Sequence, residues 1–136
     1  MTAGYSGTPL IKKLGFKAGM VVWFDASMPA QIKAEIAPEA NGIGVLSLPV
    51  QGMEAAQIFV TERAALMSAI TTIRPLLTTS GFLWVSWPKK ASKVATDLTE
   101  DVIRECALPT GFVDVKVCAV DATWSGLKLM IRRELR

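Results

Sequence analysis

Three lysines, Lys89, Lys90 and Lys93, crowd a short polar stretch directly after Trp87-Pro88. Ammonium groups so placed can clamp a phosphate, a carboxylate or a nucleic-acid backbone, and Trp87 adds a flat apolar surface beside them. The competing reading is a solvated basic turn whose lysines offset Asp97, Glu100 and Asp101. Asp121, Thr123 and Trp124 form a second group, on a tight connection between two alternating stretches. An acid and an indole there can select a planar or cationic group, or the indole can simply close the core. The sole tyrosine, Tyr5, lies in the glycine loop Gly4-Tyr5-Ser6-Gly7-Thr8 ahead of a helix start. That loop can cradle an anion or dock Tyr5 on a sheet edge, but it lacks the lysine of a P-loop.

What is missing narrows the chemistry. The chain has no histidine, so the commonest general base and the commonest metal ligand are both absent. No Ser/His/Asp set can form, no carboxylate pair has glycosidase spacing, and no metal is expected. Cys106 and Cys118 share no CxxC spacing and are expected to be buried free thiols.

The elements that position these groups follow from periodicity. Phe82 to Trp87 is an apolar, aromatic run suited to a buried strand, ended by Pro88. Upstream, Thr8-Pro9 signals a short helix to Leu14, and Met20 to Phe24 a first strand that ends at Asp25. A helix is expected from Ala30 to Ala37, a strand from Val45 to Leu48, and a third strand from Gln57 to Thr61. The longest helix runs from Glu62 to about Arg74, with Leu66, Ile70 and Ile73 on its buried face and Ala65 and Ala69 thinning that face for close packing. Asp97-Leu98-Thr99-Glu100 fits a capping box for the helix that follows. Val113 to Ala119 and Leu127 to Ile131 alternate with period two and are joined by a connection too short for a crossover helix, so they pair antiparallel.

Length and composition set the frame. The 136 residues are 51% hydrophobic and 20% charged, with a net charge of +3. One domain, residues 1–136, with a filled core is expected, and the mild charge makes nucleic acid an unlikely partner. The first residues carry no apolar signal region and no apolar run reaches the ~18 residues of a membrane span, so a cytoplasmic protein without membrane contact is expected. Alternating strands and helices closing in a hairpin mean an α/β, Rossmann-like, mostly parallel six-stranded sheet with helices on both faces and a C-terminal antiparallel hairpin. The strand ending at Asp25 should lie between those ending near Leu48 and Thr61.

The element order, with LGFKAGMVVWFDA, LTTSGFLWVSW and ALPTGFVDVKV at its strand entries, resembles the class I S-adenosylmethionine-dependent methyltransferase fold. The motifs GYSGTPL, WPKKAS, TDLTED and VKVCAVDATWSGLKL resemble a small bacterial family of unknown function. The methyltransferase resemblance implies a cofactor role for Asp25, at the end of the first strand. Ser27 and Pro29 stand at that family's glycine positions, where side chains would crowd a cofactor, and Pro29 removes an amide donor. Leu48-Pro49 replaces the acid that would hold a ribose. On those grounds the expected function is a non-catalytic or regulatory module without a cofactor. It would bind a small anionic ligand or a protein at the carboxyl edge of the sheet through Lys89, Lys90, Lys93, Trp87, Asp121, Trp124 and Tyr5. The alternatives are a methyltransferase with an atypical cofactor pocket and an RNA-associated protein.

Overall fold

The computed structural model describes residues 7–136. Its strands are β1 (Val21–Phe24), β2 (Gly44–Leu46), β3 (Met53–Phe59), β4 (Leu77–Pro88), β5 (Phe112–Ala119) and β6 (Trp124–Ile131). The helices are α1 (Leu10–Leu14), α2 (Ala30–Ile36), α3 (Arg63–Ile73) and α4 (Glu100–Ala107). The six strands form one sheet in the order β2-β1-β3-β4-β6-β5. The pairs β1–β2, β1–β3 and β3–β4 are parallel, whereas β6 runs antiparallel to both β4 and β5. The expected placement of β1 between β2 and β3 is therefore met. So is the hairpin, although β6 inserts beside β4 and leaves β5 at the edge.

Side-chain alternation splits the core into two layers. On one face Leu66, Ile70 and Ile73 of α3 and Ile103 of α4 pack on Ile58, Leu83, Val85 and Leu127. On the other, Leu10 and Leu14 of α1 and Ile32 and Ile36 of α2 pack on Val22, Phe82 and Trp84. Helices thus cover both faces, as the sequence pattern requires. Cys106 is buried and Cys118 half-buried, and both are free. No helix among the described residues is long and apolar enough to cross a membrane.

Several local expectations are corrected. Strand β3 begins at Met53, ahead of Gln57, because Glu54-Ala55-Ala56 has weak strand propensity and is held by its neighbours on both sides. Strand β4 begins at Leu77, and its register slips before Phe82, so Thr78 to Ser80 leave the ladder. Gly81 allows this, since a Cβ there would stand 2.9 Å from the Glu54 carbonyl oxygen. Pro9, not Thr8, holds the N-cap position of α1. The expected capping box also dissolves. Thr99 is the N-cap of α4 and accepts from the Val102 N–H, whereas Asp97 accepts from the Arg63 N–H at 2.8 Å and so caps α3. A capping acid can therefore serve a helix remote in sequence.

Strand β5 is tied to α4 by Arg104, whose guanidinium reaches Asp114 (2.9 Å), Glu100 and Asp101 (3.2 Å). The hydrogen bond from Arg104 holds the Asp114 carboxyl below its ordinary value of 3.8. A carboxyl depressed in the folded state stabilises above its unfolded value, and that contribution disappears as pH falls through the lowered value. Arg104→Met should therefore lower stability at neutral pH and flatten the loss of stability below about pH 4. Urea midpoints measured across that range check both.

Candidate functional site

The crossover from β2 to β3 is made by Ser47 to Gly52 alone, with no helix. It leaves part of the sheet beside α3 uncovered, and Leu48 and Val50 are exposed on it. A cleft of about 570 Å³ opens there, floored by Trp23 and Ile58 and walled by Pro49 and by Ala65, Ser68, Ala69 and Thr72 of α3. Its upper rim is Asp25-Ala26-Ser27 after β1 and Thr61-Glu62 after β3. The volume falls within the roughly 300–1,000 Å³ of small-molecule sites. The position is also a topological switch point. From β1 the chain turns into α2 on one face, and from β3 into α3 on the other.

Asp25 organises the rim. Its carboxylate accepts from the Phe59 N–H at 2.7 Å and from the Ser27 N–H, so one side chain joins the ends of β1 and β3 and shapes the turn. Its own N–H donates to the Gln57 carbonyl at 3.0 Å. Ala26 and Ser27 are exposed, and neither has the left-handed backbone that would demand glycine. Of the two positions expected to crowd a cofactor, Ser27 is exposed and lines the rim of the cleft, and Pro29 is the N-cap of α2. Ala65, expected on the packing face of α3, is exposed and lines the cleft, whereas Ala69 and the half-buried Trp23 line it while also packing against the core.

A second cleft, of about 480 Å³, is lined by Trp87, Lys90, Lys93, Thr96, Leu98 and Thr99. It contains three of the anticipated residues. Lys90 to Ser92 form a single 3-10 turn, and Lys93 ends it in a left-handed conformation at φ 62°. The Lys89 N–H instead donates to the Thr123 carbonyl at 2.7 Å and ties this loop to the β5–β6 turn. Asp121 accepts from the N–H groups of Thr123 (2.8 Å) and Trp124 (2.7 Å), so its carboxylate builds that turn. Trp124 packs edge-on against Phe59, ring centres 5.2 Å apart, as a plug of the core. Tyr5 lies outside the described residues. Between the clefts runs a shallow groove lined by Thr61, Glu62, Thr96 and Asp97.

Sheet order and carboxyl-edge cleft together define a fold of the class I S-adenosylmethionine-dependent methyltransferase type. No family model matches the chain, and no curated protein does. Solved structures do. A SAM-dependent methyltransferase from Aquifex aeolicus superposes with a TM-score of 0.61 at 14% identity, covering 90% of this chain and 87% of that one. Methanococcus jannaschii fibrillarin, a pre-rRNA processing protein, gives 0.54 at 12% identity, covering 91% and 69%. LepI in complex with SAM gives 0.56 at 14% identity, covering 90% of this chain but only 39% of LepI. These likenesses establish the fold. The expectation of a non-catalytic or regulatory module is overturned as well, because methyltransferases are among the structural neighbours and the alternative reading is the one they favour.

Proposed function

We propose that this chain is an S-adenosylmethionine-dependent methyltransferase with an atypical cofactor pocket, the cleft between α3 and the Ser47 to Gly52 crossover. The observation that carries the reading is that this cleft stays open at the switch point although no glycine lies in the loop after β1. Its residues suit the group. Trp23 and Ile58 offer an apolar floor for an adenine, and Ser68 and Thr72 offer hydroxyls. Asp25 and Glu62 place carboxylates at the rim, where a cationic ligand is favoured. Pro49 stands where a ribose-holding acid would be expected, which is the atypical feature.

When bound, the cofactor supplies an electrophilic methyl group on a sulfonium. The protein's part is to orient it and to exclude water. Asp25 holds the Ala26-Ser27 turn rigid through its two accepted hydrogen bonds. Glu62, exposed at the rim, is the carboxylate placed to take a proton from an acceptor. The second cleft, reached past Thr61 and Glu62, is where the acceptor would lie, with Trp87, Lys90 and Lys93 contacting it. Calorimetry with S-adenosylmethionine and with S-adenosylhomocysteine tests the reading. A dissociation constant of about 10 μM, or roughly −7 kcal/mol, is expected. Absence of heat for both compounds at millimolar concentration would rule the pocket out.

A further inference from the structure

A cluster of lysines lies away from either cleft, on the face that carries α1. Lys116 of β5 and Lys128 of β6 stand directly opposite each other in the antiparallel ladder. Like charges so paired destabilise a sheet. The Lys128 ammonium sits 4.3 Å from the centre of the Phe82 ring, and a Cβ on Gly15 would come within 3.7 Å of it. Phe16, next to Gly15, stacks on Phe82 at 5.9 Å, and Lys17 follows it. Lys13 reaches across from α1 to donate to the Ala119 carbonyl at 3.1 Å.

No carboxylate answers this charge. Among the described residues the ion pairs involve Arg63, Arg104 and Arg132, and none of these lysines. Residues 1–6 contain no acid either. Burial pushes the Lys128 ammonium below its ordinary value, and the nearby charges of Lys116 and Lys17 push it the same way. The free protein therefore holds a partly desolvated cation among like charges, an arrangement that an anion would relieve.

We propose that Lys17, Lys116 and Lys128 form a binding site for a compact phosphate-bearing small molecule, with the edge of the Phe82 and Lys128 stack as its floor. The charges converge around one half-buried ammonium beside Gly15 and do not extend as a stripe, which fits a compact dianion better than a nucleic-acid backbone. The site is independent of methyl transfer, since it shares no residue with the cleft at Asp25.

Thermal unfolding in millimolar pyrophosphate, compared with sodium chloride at equal ionic strength, tests it. Saturating pyrophosphate should raise the wild-type melting temperature by roughly 5 °C. Lys17→Gln/Lys116→Gln changes two exposed side chains and should abolish the rise while the protein remains folded. Lys116→Glu should raise the melting temperature without ligand, because it turns a repulsive pair into an attractive one, and should also remove the response. The site is refuted by no rise in the wild type, by an equal rise in the double variant, or by stabilisation from an oligonucleotide but not from pyrophosphate.

Discussion

Replacing Trp84 with alanine should lower stability by about 4 kcal/mol and the melting temperature by on the order of 15 °C. Trp84 is fully buried at the centre of the layer formed by α1 and α2. Its indole N–H donates to the Leu14 carbonyl at 2.7 Å, which holds the last turn of α1 on the sheet. Helix α1 has only five residues and cannot persist without that anchorage. Gly126, across the ladder beside Ser86, leaves room for the ring, because a Cβ there would lie 3.1 Å from it. Trp84→Phe separates the two contributions. It keeps most of the packing and loses the hydrogen bond, so a cost of about 1–2 kcal/mol is expected. Denaturant titration of both variants gives the comparison. Equal losses would mean that the hydrogen bond, not the ring volume, fixes α1.

Several strand boundaries were readable from punctuation: Asp25 after β1, Pro88 closing β4, and Gly111 before β5, whereas β2, expected over Val45 to Leu48, stops at Leu46, ahead of Pro49. The reversed strand was readable because Asp121 to Gly126 is too short to carry the chain back across the sheet, and the actual connection, Val120 to Thr123, is shorter still because β6 starts at Trp124. The extent of β3 was hidden, since Ala55 and Ala56 owe their strand conformation to β1 and β4, a property of partners and not of alanine. The cleft was hidden for a related reason. Ala65 and Ala69 look like core-facing small residues when read along a helix. Only the short Ser47 to Gly52 crossover, which leaves their side of the sheet bare, turns them into a wall. Trp23, inside the apolar run read as the first strand, is half-buried by the same absence. The lysine site around Lys128 depended on the β5 irregularity between Asp114 and Lys116. That bulge shifts the register and brings Lys116 opposite Lys128, and no periodicity in the sequence announces it.

Asp25→Ala should weaken S-adenosylmethionine binding at least tenfold and lower stability by about 2 kcal/mol. The stability term follows from removing an ionised acceptor that serves two backbone donors, each such bond contributing roughly 1.5–3 kcal/mol, discounted here for the half-exposed setting. The binding term follows from geometry. Without the carboxylate the Ala26-Ser27 turn is no longer tied to Phe59, and the rim that orients a ligand becomes mobile. Asp25→Asn tests whether charge or shape matters more. Its amide oxygen can still accept from the Phe59 N–H, but its NH₂ faces the Ser27 N–H, so one of the two bonds is lost and the negative charge with it. If Asp25 acts by holding the turn, Asn should recover part of the stability and part of the affinity together, in proportion. If it acts mainly as a counter-charge to the cationic cofactor, Asn should recover stability but not affinity. In that case, S-adenosylhomocysteine, which lacks the sulfonium charge, should bind the variant and the wild type more nearly alike. Calorimetry with both compounds on the three proteins, alongside urea denaturation, separates these outcomes. Unchanged affinity in Asp25→Ala, with the protein still folded, would remove Asp25 from the site altogether.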